Sequence, residues 1–104
     1  MNESDAQAAV RVAREILDGS TPLLWGCRRI CGPIQCLGLA RMEPFATFIA
    51  VESETDHLPI NPDERKLWNP QVLVKKEEEI AGFTEWARES VLAASRAVIR
   101  KFGE

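Results

Sequence analysis

This sequence predicts a single all-α domain of four or five helices, closed by a long C-terminal helix. Two observations carry that reading. Four helix-start signals are spread along the chain, at Ser4–Gln7, Thr21-Pro22, Asn61-Pro62 and Asn69-Pro70. After the last of them, Ile80, Phe83, Ala87, Val91, Ala94, Val98 and Phe102 recur at intervals of three and four, which is one apolar stripe along a helix. The runner-up is a mostly helical fold with one short hairpin near residues 46–60.

The closing helix is the element the others must pack around. Asn69 is an N-cap and Pro70 takes the first helical position, where its missing N–H costs nothing. Glu77, Glu78 and Glu79 lie toward the N-terminal end, and Arg96, Arg100 and Lys101 crowd the last turns. Both placements suit the helix dipole. Gly103 is the expected stop. Such a helix is about 50 Å long, so a bend or fray is expected. Gly82 is its weak point, at about 1 kcal/mol relative to alanine.

Ahead of it, Ser4 with Gln7 forms a capping box that opens a first helix. Ala6, Val10, Ala13 and Leu17 give its apolar face, widened by Ala9 and Ile16, and Gly19 ends it. Thr21-Pro22 repeats the cap-plus-proline start. Leu23, Cys27, Ile30 and Ile34 share one face of the second helix, with Trp25, Arg28 and Arg29 opposite. Trp25 and Arg29 are four apart, a spacing that allows cation–π stacking. An exposed Trp beside arginines suits an interface; the preferred reading is a Trp25 half-buried against a neighbouring helix. Gly32-Pro33 is expected to break or kink this helix after Cys31.

Glu43-Pro44 begins the next element. Phe45, Phe48, Ile49 and Glu52 suit a short helix, whereas Thr47 to Val51 would suit a strand. Helix is preferred because no partner strand is visible elsewhere. Asn61-Pro62 with Glu64 opens one more short helix, through Trp68.

Composition bounds the function. A chain of 104 residues is one domain by the usual prior and buries about two-thirds of its unfolded surface, enough for a core without staples. A net charge of −3 and a pI near 5.2 argue against nucleic-acid binding. No apolar run approaches bilayer length, and the acidic start Met1 to Asp5 is not a secretory signal. Cys27, Cys31 and Cys36, an odd and clustered set, fit a reducing cytosol better than a disulfide framework. With His57 they would complete a Cys₃His set, but helical cysteines on an apolar stripe are more often small core residues, so no metal or other cofactor is expected.

The charge is also unevenly spread. Residues 21–42 hold Arg28, Arg29 and Arg41 and no acid, hence +3; residues 43–64 hold Glu43, Glu52, Glu54, Asp56, Asp63 and Glu64 and no Lys or Arg, hence −6. Either the two segments face each other, the preferred account, or the acidic one docks a basic partner.

Glu52 to Pro59 is the densest run of chemistry-capable side chains and reads as a surface loop. Glu54, Asp56 and His57 have the chemistry to bind a divalent cation or perform acid–base work. The preferred alternative is a turn whose side chains cap helix ends. Arg65 is the next cation along the chain and is expected to tie this loop down through Glu54 or Asp56, with Trp68 packed beneath.

The run Ser53-Glu54-Thr55-Asp56-His57-Leu58-Pro59, followed by Arg65 and Trp68, resembles a signature of small uncharacterised bacterial hypothetical proteins. So does Leu17-Asp18-Gly19 leading to Gly26-Cys27-Arg28-Arg29. The similarity runs over most of the chain, with a departure at Gly32 to Cys36. It implies a bacterial cytosolic protein and brings no mechanism.

These readings converge on a non-enzymatic interaction module. It is expected to bind a protein partner or itself, with neither nucleic acid nor membrane involved. Its candidate contact residues are Glu54, Asp56, His57, Arg65, Trp68, Trp25 and Arg29. In size and charge it is analogous to immunity proteins that neutralise toxins. The alternative is a small metal-binding or hydrolytic protein using Glu54, Asp56 and His57.

Overall fold

The computed structural model describes residues 3–103. It is all-α: α1 (Asp5–Asp18), α2 (Leu23–Cys36), α3 (Ala46–Thr55), α4 (Pro62–Arg65) and α5 (Pro70–Phe102). Helix makes up 74% of the described residues, about twice the one-third typical of globular proteins. No strand occurs among the described residues, which removes the hairpin near residues 46–60. The stretch Thr47 to Val51 is helical because Phe48 and Val51 are buried on one face of α3, a spacing of three that a strand cannot satisfy. Among the described residues, no helix is long and apolar enough to cross a membrane.

The caps act as the sequence predicts at α1, α4 and α5. Ser4 Oγ accepts from the Gln7 N–H while the Gln7 side chain accepts from the Ser4 N–H. Asn61 and Asn69 each accept from the N–H two residues on. α2 is different. Thr21 does not cap it; Pro22 takes the cap position and the buried Thr21 hydroxyl instead accepts from Arg29. Nor does Gly32-Pro33 break α2, which runs through to Cys36. Proline inside a helix costs about 3 kcal/mol. Burying Ile34 and Leu39 returns about 1.5–3 kcal/mol each, so continuation wins. Gly38, at φ +74°, then reverses the chain.

α1 and α2 pack on each other, both pack on α5, and α3 closes the third side against α2 and α5. Val12, Ile30, Ile34, Phe48, Leu58, Val91 and Val98 are almost fully enclosed at the centre. Loss of one large member is severe: Phe48→Ala should cost about 3–5 kcal/mol. On α1 the buried face is Ala9, Val10, Val12, Ala13 and Ile16; Ala6 and Leu17 lie at its edges. The α1–α2 crossing is close because Gly26 lies under Ile16.

α5 is unbroken through Gly82, with no fray among its described residues, which run from Pro70 to Phe102. Its buried residues begin only at Ala87. The preceding turns keep Leu73, Lys76, Ile80, Phe83 and Thr84 half-covered and the rest largely in water.

Candidate protein-docking site

The expected loop from Glu52 to Pro59 is only partly a loop. Glu52 to Thr55 form the last turn of α3, where buried Thr55 donates its hydroxyl to the Val51 carbonyl at 2.8 Å. Arg28 Nη2 donates to the Thr55 carbonyl at 2.7 Å, satisfying a helix-end acceptor. Leu58, Pro59 and Ile60 are buried and pull the chain back under the core. The polar side chains of Glu54, Asp56 and His57 are left outside on a short, well-anchored corner.

Arg65 does anchor this corner, but not through Glu54 or Asp56. It donates to the Pro59 carbonyl at 3.3 Å and forms an ion pair with Glu77 on α5. Glu77 is the carboxylate that the fold brings to Arg65, whereas Glu54 and Asp56 take part in no ion pair among the described residues. Trp68 is half-buried but is not among the residues packed on the core, so it does not cover it as expected.

The expected Trp25–Arg29 stack is also replaced. Arg29 turns to α1 and pairs with Glu15 at 2.7 Å. This hydrogen bond, together with the attraction of the guanidinium, holds the Glu15 carboxyl below its ordinary range. Trp25 is half-buried against the core. With Leu23, Ile60, Pro62, Ile80 and the Arg65–Glu77 pair it lines an open apolar depression of about 560 Å³. The basic and acidic segments do pack together as α2 on α3, yet no ion pair joins them among the described residues.

What the fold assembles around His57 is an aromatic array. Glu79, Gly82, Phe83 and Trp86 follow one face of α5 at helical spacing. His57 meets Phe83 edge-on, with centroids 6.2 Å apart, and Phe83 meets Trp86 edge-on at 6.0 Å. These are the favoured edge-to-face arrangements. His57 Nε2 lies 3.9 Å from a Glu79 carboxylate oxygen, within reach of its charge but beyond a hydrogen bond. Trp86 is nevertheless 60% exposed. It borders two depressions at once. One, about 350 Å³, is completed by Glu54, Glu79, Gly82 and Phe83. The other, about 300 Å³, lies between α3 and α5 along Glu43, Ala46, Thr47 and Ala50.

Of the residues singled out in the sequence, Glu54 and His57 belong to this face and Asp56 adjoins them in the chain. Arg65 and Trp25 belong to the separate apolar depression. Arg29 is tied up by Glu15 and Thr21, and Trp68 joins neither depression. Sequence reasoning passed over Trp86. Its signal was present: a tryptophan one position off the apolar stripe, between Glu85 and Arg88 on what should be a polar face.

No group of three His, Cys, Asp or Glu among the described residues is placed to hold a metal ion. Cys27 and Cys31 are buried, and desolvation pushes both thiols up to about 12; Cys36 is exposed. Compared with protein-family models, curated proteins and solved structures, the chain matches none of them.

Proposed function

We propose that this chain is a non-enzymatic protein-interaction module, and that it docks a protein partner on the His57–Phe83–Trp86 face. A bacterial cytosolic setting follows from the sequence resemblance described above. The observation that carries the reading is the 60% exposure of Trp86 beside two depressions. A large indole left in water and braced edge-on by Phe83 is a poor use of apolar surface within the fold. It is the typical anchor of an interface, where one buried tryptophan contributes a large share of the affinity. The catalytic alternative has less behind it. His57 makes no hydrogen bond to a hydroxyl or thiol among the described residues, so no nucleophile–base pair is formed.

The test is affinity capture from the source cell, with purified wild type and Trp86→Ala as baits and Leu67→Ser as a control for another exposed apolar residue. A protein retained by wild type and the control but lost by Trp86→Ala is expected. An identical set on all three baits refutes the reading. Stoichiometric metal in elemental analysis, with a melting temperature lowered by EDTA, would favour the metal-binding alternative instead.

A further inference from the structure

We infer that the occupant of the Trp86 face is a basic segment of another protein, laid along the groove between α3 and α5; this rests on the docking reading above. Its apolar side chains lie on the indole. Its Arg or Lys side chains meet Glu43 at one end and Glu54 with Glu79 at the other.

The two depressions are not separate features. They share Trp86 and form one line, from Glu43 past Ala46, Thr47 and Ala50 to Glu54 and Glu79. The floor is made of small side chains, Ala46 and Ala50 on α3 and Gly82, Ala87 and Ser90 on α5, so a partner's chain can approach closely. The rim is acidic. Among the described residues, Glu43, Glu54 and Asp56 take part in no ion pair, and Glu79 has Lys76 at 3.2 Å and His57 at 3.9 Å. An indole face flanked by carboxylates is the arrangement that captures a guanidinium or ammonium group: the ring attracts it by cation–π interaction while the acids neutralise it.

The same charges exclude the other occupants. A two-fold dimer through this face would set Glu43, Glu54 and Asp56 of one copy against those of the other, a like-charge contact. Nucleic acid would meet the same repulsion from its phosphates. A neutral apolar helix would bury several carboxylates without partners, which is costly. A basic polypeptide removes all of these penalties.

The test uses a phage-displayed random-peptide library panned on the full chain, followed by anisotropy titration of the enriched peptides. Peptides enriched in Arg and Lys beside an apolar residue are expected. Trp86→Ala should weaken them about thirtyfold or more, the loss expected at an interface hot spot. Trp86→Phe should restore part of the binding. Glu54→Gln with Glu79→Gln should weaken binding about tenfold and flatten its salt dependence. Thermal melting of each variant confirms that it is folded. Neutral or acidic peptides that still depend on Trp86 would overturn the basic assignment while leaving the docking reading intact. Enriched peptides indifferent to Trp86→Ala, or no enrichment at all, would overturn both. A concentration-dependent dimer in sedimentation, abolished by Trp86→Ala, would show that a second copy is the occupant and overturn the inference.

Discussion

The same substitution at two glycines should move stability in opposite directions. Gly82 lies in the exposed middle of α5, and a methyl group added there meets no atom within 4 Å. Gly82→Ala therefore leaves every contact in place and reduces the freedom of the unfolded chain, a gain of about 0.5–1 kcal/mol. For a domain this size that raises Tm by about 2–8 °C. Gly26 lies inside α2 and would gain as much from propensity alone. Its added methyl would stand 2.9 Å from Ile16 Cδ1, closer still to Ile16 Cγ1, and 3.1 Å from Thr21 Cγ2. Ile16 and Thr21 are both buried, so neither can swing aside into water. Overpacking of this kind costs about 1–3 kcal/mol against a propensity gain of about 0.5–1, so Gly26→Ala should destabilise by up to about 2.5 kcal/mol. Urea denaturation gives both numbers as shifts in midpoint at constant slope. If Gly26→Ala proved as stabilising as Gly82→Ala, α1 and α2 would not cross closely at Gly26. If Gly82→Ala destabilised, α5 would not be an open, continuous helix there.

Three further predictions follow from the packing and the charges. With Cys27 and Cys31 buried and their thiols pushed up to about 12, a disulfide reagent near neutral pH should label only Cys36 quickly, and all three cysteines only in denaturant; rapid reaction of all three in native protein would contradict the core assignment. Because Arg29 holds the Glu15 carboxyl down, that pair's contribution is complete above the unfolded carboxyl's value of 4.5 and is lost as pH falls through the lower folded value. Arg29→Gln should thus destabilise the protein near neutrality and make its stability fall less steeply on acidification; an unchanged acid profile in chemical denaturation would remove the pair's role. Arg65→Ala should cost about 1 kcal/mol, since its ion pair with Glu77 is half in water; a loss above about 3 kcal/mol in denaturant titration would mean that the corner is held far more tightly.

What could be read from the chain was what is decided within a few residues. The Ser4–Gln7 box and the Asn61 and Asn69 caps are local hydrogen bonds, and the stripe from Ala87 to Val98 is simple periodicity. The misreadings each depend on a distant partner. Thr21 looked like a cap, but Arg29, two turns into the same helix, claims its hydroxyl. Pro33 read as a break or kink, but α2 runs on to Cys36, and the burial of Ile34 and Leu39 together outweighs the cost of the proline. Arg65 had several acids within reach along the sequence, and only the fold, which brings Glu77 of α5 to it, selects the partner. The proposed docking face was half legible. Glu54 and His57 stood out as an acidic, chemically dense run, whereas Trp86 gains its meaning from the groove that α3 makes beside it.

The uneven burial of α5 divides its mechanical duties. From Ala87 to Val98 the helix carries its buried residues and packs into the core, so its amides there are expected to be the best protected. Upstream of that point it is a spar, braced on one side by the Arg65–Glu77 pair and the half-covered Leu73, Ile80 and Phe83. Amide exchange should therefore quicken stepwise toward Pro70 rather than uniformly. Phe83 and Trp86 lie at the boundary between spar and grip, so a ligand clamped on the indole also splints the spar, and its presence should be legible as slowed exchange several turns away from any atom it touches.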